Sequence, residues 1–354
     1  MRQFLNAVFF VSLTAQFFLW GGSFFPCRAM EDEDRELHIY TWSGYLDSDV
    51  INGFQKKYNC KVWVDSFDSY GEMLATVTAS KDNYDIVTPT SFMAARLYQS
   101  GLLLKIDHAK IPNLKNLDPA VLGLTDDPDM HYSVPYAITA AGIGYNRRLI
   151  SREHLGSWAL FAVSAYAGRM TMLLDMREAV GAALRYLGYS LNTRNPLELA
   201  EASKLLLRWK KNLVGFDVEE AKSGLAEGRY AAIHAYNGDV ALLMKDNPDL
   251  DFFIPKEGSS LTVDEFVICA DTPVSDLAHA FINYMLDPVV AEVNMESTMF
   301  YMPNLLAQRR LNPALKKNPA FGITAEVLTN CEVVHDLDDT IDNYLKEWER
   351  VLSD

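Results

Sequence analysis

From residue 37 to the C-terminus, short runs of β-forming residues alternate with amphipathic segments of helical length, and no other feature limits the possible folds so strongly. The pattern predicts a strand over 37–40, a helix over 49–58, a strand over 60–64, a helix over 69–79 and a strand over 84–88. A second series begins near Ala140, with strands over 143–145 and 170–174, helices over 177–187 and 197–211, and a strand over 231–235. An apolar strand around 264–270, a helix over 274–286 and another opening at Pro288 complete it. Such alternation specifies a doubly wound sheet with right-handed crossovers, in which ligands sit beyond the carboxyl ends of the strands. No repeat, low-complexity stretch or long linker separates the two series. They must be joined by strands or short loops, as hinge-closing proteins require. With 49% hydrophobic residues in a chain of 354, there is enough apolar material for two cores.

Residues 1–30 read differently. Arg2 precedes an apolar run from Phe4 to Trp20, at the extreme N-terminus and without a basic stop-transfer flank, which is the pattern of an export segment. Cys27 stands where a lipoprotein signal places its acylated cysteine, although Phe24, Phe25 and Pro26 are bulkier than that signal usually carries. The expectation is export to the periplasm with Cys27 as a lipid anchor to a bacterial membrane, followed by an acidic tether, EDEDRE, over 31–36.

Several function classes are disfavoured. Against 32 Lys and Arg there are 47 Asp and Glu, a formal charge of −15 that repels phosphate backbones and leaves no expectation of nucleic-acid binding. Cys60, Cys269 and Cys331 show no metal or redox spacing and read as unpaired, buried thiols, with room for one disulfide. Without an HExxH, Walker, GxGxxG or GxSxG motif, the sequence predicts no metal, no cofactor and no catalytic nucleophile.

What remains is a set of acids and aromatics at strand ends. Asp175 and Glu178 lie three apart at a helix start, where their carboxylates can share one face. On spacing alone, acids that merely complement the helix N-terminus are the favoured reading, and an acid–base pair of a glycosidase is a third. Asp239, Asp264 and Glu265 add carboxylates near later strand ends. Trp42, Tyr45, Phe92, Tyr236 and Phe300 fall outside periodic apolar stripes, in loops after strands or before helices. Each alone would be core. Together with the acids they suggest a cage whose rings pack on methylenes while carboxylates receive ammonium groups. A cationic amine with an aliphatic body fits that combination better than a sugar or an anion.

The segments IYTWSGY (39–45), YDIVTPTSF (84–92), YSVPY (132–136), LLDMREAVGAALRYLGYSLNT (173–193), YNGD (236–239), PKEG (255–258) and MPNLLA (302–307) occur in an order and spacing that resembles the bacterial spermidine/putrescine-binding proteins of polyamine ABC transporters. The resemblance implies an α/β, two-lobe periplasmic-binding-protein fold of type II, each lobe a mainly parallel sheet flanked by helices, with the ligand in the cleft between them. It divides the chain into a first lobe of 37–137 plus 263–308 and a second of 138–262 plus 309–354. It also implies ligand-binding roles by position: Trp42, Ser43 and Tyr45 as one aromatic wall, Thr90 and Phe92 as another, Asp175 and Glu178 gripping one ammonium, Tyr236 in place of a Trp, Asp264 opposite, and Phe300 in place of a Tyr. Gly44 stands where relatives carry an acid, Thr262 where they carry a Trp, and Val334 where they carry a Gln. One end of the site is thereby weakened, which leans the expectation towards putrescine over spermidine. The implied activity is reception and delivery to a membrane permease, with no catalysis. The competing readings are a receptor for another cationic or zwitterionic solute, and a carboxylate-based hydrolase.

Overall fold

The computed structural model describes residues 35–67, 69–79 and 83–353; the export segment and Cys27 lie outside the described residues. Ten strands are found among the described residues: β1 (Glu36–Trp42), β2 (Lys61–Phe67), β3 (Ile86–Val87), β4 (Ser133–Asn146), β5 (Met170–Met172), β6 (Leu213–Phe216), β7 (Ala232–Tyr236), β8 (Leu250–Phe253), β9 (Ser260–Ile268) and β10 (Glu332–Val333). They join in the order β2-β1-β3-β9-β4-β7-β5-β6, with β10 added to β9 and β8 to β4. Parallel pairing joins β1 to β2 and β3, and β5 to β6 and β7, as strand–helix alternation predicts. Helices close the β1–β2 and β2–β3 crossovers, the first capped by Asp47, whose side chain accepts from the backbone N–H groups of Asp49 and Val50.

The two series meet through β4. Its residues 133–140 pair antiparallel with β9, while 141–146 pair antiparallel with β7 and β8. One strand therefore belongs to both halves. All fourteen of its residues are buried, which is why the sequence there reads as a continuous small and apolar run rather than as an alternation. Pro135 cannot donate to a ladder, and the β4–β9 register shifts between Pro135 and Ala137, the bulge that lets a proline sit in a central strand. Further along, a Cβ on Gly142 would lie 2.4 Å from the Phe252 ring and 2.7 Å from the Phe253 carbonyl, so only glycine lets β8 approach.

Two large buried clusters form, the first running on into Leu225, Ile233, Val240 and Phe252 of the second series. Leu37, Ile39, Phe54, Phe266 and Phe281 pack together on one side. Trp158, Phe161, Trp209, Tyr344 and Trp348 fill the other, where the C-terminal helix Ile341–Ser353 lies on Met176–Tyr186 and Pro196–Lys210. The last strand of the first predicted series shrinks from 84–88 to Ile86–Val87, and β6, β8 and β10 were not anticipated. β6 (LVGF) and β10 are too short to show a period, and β8 gains its place by pairing to β4. Cys60, Cys269 and Cys331 are all free thiols, and burial pushes the Cys269 thiol up to about 12. Among the described residues no helix is long and apolar enough to cross a membrane, and no group of His, Cys, Asp and Glu could hold a metal ion.

Candidate functional site

A cavity of about 420 Å³ opens where strand ends from both halves converge. Its floor is the β4–β9 crossing, where the Thr139 and Thr262 hydroxyls hydrogen-bond at 2.6 Å. One wall rises from β1. That strand ends in Trp42, and the chain turns back so that the Tyr45 N–H donates to the Trp42 carbonyl at 3.3 Å. Gly44 occupies the turn at φ +75°, a region that disfavours any L side chain, and it does not line the cavity. The Tyr45 ring packs on Phe300 at 4.3 Å, and its backbone carbonyl accepts from the Tyr136 hydroxyl at 2.6 Å.

The centre of this wall is Asp264. Side chains alternate along β9, so Asp264 enters the cavity while Glu265 goes to the opposite face, near Ser133, Ser91 and Asp127. The Asp264 carboxylate is 2% exposed. Its Oδ2 accepts from the Tyr45 hydroxyl at 2.6 Å, and its Oδ1 has no hydrogen-bond partner among the described residues. Burial pushes its pKa up to about 7, against the opposing pull of Tyr45 and of the nearby Trp42 indole, whose own Nε1 also finds no partner. Buried carboxylate oxygens are nearly always satisfied, so an Oδ1 that is closed to solvent and has only the Trp42 indole near it makes Asp264 an incompletely satisfied acid on the cavity wall.

The facing wall comes from the second series. Beyond β5, Leu173, Leu174 and Asp175 reach the cavity, and Asp175 caps the helix Met176–Tyr186. Its Oδ1 accepts from the N–H groups of Arg177 at 2.7 Å and Glu178 at 3.1 Å. The helix-capping reading of Asp175 thus holds, and one carboxylate serves as cap and as cavity lining. Burial pushes its pKa up, opposed by those two N–H donors. Glu178 sits behind the wall, 4% exposed, and accepts from the Ser260 hydroxyl at 2.5 Å. Burial, and then the charge of Asp175, raise its pKa; Ser260 and Arg177 act the other way. Arg177 is itself committed to the His335 carbonyl and to Asn192.

Beyond β7, Tyr236 presents its ring, and the helix Asn237–Asp246 carries Asp239 in its first turn. From the helix Glu219–Ala226, Lys222 extends an ammonium to within 3.7 Å of Asp239 Oδ1.

Of the residues expected from sequence, Trp42, Ser43, Tyr45, Asp175, Tyr236, Asp264 and Phe300 are brought together around the cavity. Thr90, Phe92 and Glu178 are not on its surface. Thr90 is buried and bridges through its backbone to Asp264, and Phe92 lies edge-on behind Tyr70 with ring centres 5.6 Å apart. Tyr70 was not anticipated, yet it lines the cavity and stands perpendicular to Trp42 at 5.2 Å. Its signal was present, an aromatic at the junction of β2 and the next helix. Lys222 was missed for lack of any comparable signal, since a lysine on a polar helix reads as a solvated side chain. Val334 packs among Tyr40, Phe67 and Leu191 and does not line the cavity.

The family model of the bacterial extracellular solute-binding proteins matches residues 49–323. The chain is 30% identical to the spermidine/putrescine-binding periplasmic protein of Escherichia coli over 310 residues, covering 87% of this chain and 89% of that protein. It is also 30% identical to the putrescine-binding periplasmic protein PotF of Escherichia coli, over 91% of this chain and 92% of that one. The crystal structure of the TpPotD lipoprotein of Treponema pallidum superimposes with a TM-score of 0.82 at 32% identity, covering 90% of this chain and 100% of that one. The fold is that of the type II periplasmic-binding proteins, two lobes with the cavity between them. On sequence and fold together, the chain belongs to the bacterial extracellular solute-binding protein family, in the group of the spermidine/putrescine-binding periplasmic proteins.

Proposed function

We propose that this protein is an extracytoplasmic polyamine receptor that binds a diamine, and to a lesser degree spermidine, by lobe closure and delivers it to an ABC permease. The observation that carries the reading is the buried, incompletely satisfied carboxylate of Asp264 at the wall of a cavity that the rings of Trp42, Tyr45, Tyr70, Tyr236 and Phe300 also line. A protonated amine supplies the missing donor, and its methylenes cover the rings. Relatives named for spermidine and putrescine point the same way.

In this reading the lobes comprise 37–137 with 263–308 and 138–262 with 309–354, and β4 and β9 carry the hinge between them. Ligand held by Asp264 on one lobe gains Asp175 on the other, and that difference in affinity between open and closed forms is what drives closure. Glu178 and Phe92 act from behind: the Glu178 carboxyl takes the Ser260 hydroxyl of β9 beside Asp175, and Phe92 packs on Tyr70. The reading assigns reception and delivery with no catalysis, which the description of the family as solute-binding proteins supports. Cys27 carries the lipid that anchors it on the periplasmic face of a membrane, as the word lipoprotein in the name of the Treponema relative encourages. Replacing Cys27 with Ser should abolish labelling by radioactive fatty acid and release the protein to the soluble fraction.

Calorimetric titration of the full chain with putrescine, cadaverine, spermidine and a panel of amino acids tests the reading. Binding of polyamines is the expected result. Binding of amino acids alone would overturn it.

A further inference from the structure

Among the described residues, four charged side chains line the cavity: Asp175, Asp239, Asp264 and Lys222. Lys222 and Asp239 pair at 3.7 Å, with side chains 27% and 21% exposed. They come from two different helices, Glu219–Ala226 and Asn237–Asp246, that follow β6 and β7. A lysine side chain is a primary alkylammonium on a four-carbon stem, the same chemistry as the end of a polyamine. Its presence changes the charge balance of the site. Of the carboxylates on the cavity among the described residues, Asp239 is the one that a lysine pairs at the cavity surface.

We propose that Lys222 is a built-in substitute for a ligand ammonium: it fills the subsite of Asp239 and so limits the cavity to a dication, setting selectivity for diamines over the longer triamine. This inference rests on the polyamine reading above. A diamine can meet Asp264 with one end and Asp175 with the other, the two cavity carboxylates among the described residues that no lysine pairs. A triamine brings a third ammonium into a site whose third carboxylate already has a cation, and Lys222 repels it. At the partial exposure of this pair, Coulomb interactions are stronger than on an open surface, so like-charge repulsion is felt.

The test is the ratio of spermidine to putrescine dissociation constants, measured by calorimetry on the full chain in mild detergent. Lys222→Met keeps the aliphatic stem and removes the charge. The expected result is a shift of the ratio in favour of spermidine by about tenfold, the worth of one charge-assisted contact in a partly solvated cleft. Adding Asp239→Asn to Lys222→Met should return the ratio to the wild-type value, which a merely structural ion pair would not do. If Lys222→Met does not fold, as judged by circular dichroism and melting, Lys222→Gln serves in its place. An unchanged ratio in a folded variant overturns the role of Lys222 while leaving the receptor reading intact. Wild-type protein that binds no polyamine overturns both. If an amino acid competes for the wild-type site and loses affinity in Lys222→Met, Lys222 receives a carboxylate, and the substitute-ammonium role is wrong.

Discussion

The two walls of the cavity carry acids of the same kind in opposite states. On the β1–β9 wall, Asp264 gives one oxygen to Tyr45 and leaves the other open. On the β5–β7 wall the acids hold more of their own chain: Asp175 caps a helix through Oδ1, Glu178 behind it takes the Ser260 hydroxyl, and Asp239 has Lys222. A carboxylate is a binding group only to the extent that the protein has left it unsatisfied. The first wall can thus anchor a cation at once, and the second adds contacts that matter on closure.

Asp264→Asn should break this asymmetry most severely. An uncharged amide cannot replace a buried charge-assisted contact, so putrescine affinity should fall about a hundredfold in a titration, with the melting temperature of the empty protein unchanged or raised. A loss below threefold would move the anchor to the other wall.

Changing pH weakens the same wall without mutation. With Asp264 near pH 7, its carboxyl must release a proton before an ammonium can bind, whereas the amines, with pKa near 10, stay charged throughout. Putrescine affinity should therefore drop about tenfold from pH 8 to pH 6, with a flatter profile in Asp264→Asn. The sign for stability follows from the same shift. In the unfolded chain this carboxyl titrates near 3.9, so its contribution to the empty fold is complete below about pH 4 and lost as pH rises through about 7. Melting scans of the empty protein should show that decline and putrescine should reverse it. A melting temperature that instead rises steadily from pH 5 to pH 8 contradicts the assigned state of Asp264.

Glu178→Gln probes the engaged wall, and the effect should be smaller, about five- to tenfold on affinity, because Glu178 acts through Asp175 and Ser260 rather than by touching ligand. A loss as large as that of Asp264→Asn would place Glu178 in direct contact. Smallest of all is Gly44→Ala. The φ of +75° makes any side chain there cost about 1 kcal/mol of stability, yet no atom lies within 4 Å of the new Cβ. Melting should shift down by a few degrees, and the spermidine-to-putrescine ratio should stay as it was. The same φ means that an acid placed at position 44 carries a backbone cost before any charge effect.

Much of this was legible without coordinates. The alternation of strand and helix placed Trp42, Tyr45, Asp175 and Tyr236 at strand ends, and a site beyond strand ends follows from the topology of such sheets. Tyr70 obeys the same rule, at the junction of β2 and the helix that follows it. The continuous β4 could not be read, because Pro135 argues against a central strand until the bulge beside it is seen. The standing of Thr90, Phe92 and Glu178 behind the wall was equally hidden. Position along the chain says that a side chain is near a strand end, and not whether another ring stands in front of it.

What the sequence determined by itself is therefore the supply of groups: a two-series α/β chain, an acidic balance, and carboxylates and rings where strands give way to helices. What only the tertiary structure decided is the state of each group. Asp264 and Asp239 look alike in sequence, as acids close to strand ends. Packing carried Lys222 to Asp239 from a separate helix, and sank Asp264 under Tyr45 with one oxygen open. Charge, desolvation and hydrogen-bond satisfaction depend on neighbours in space over a few ångströms, and those neighbours are set by how the helices dock, which no local pattern encodes.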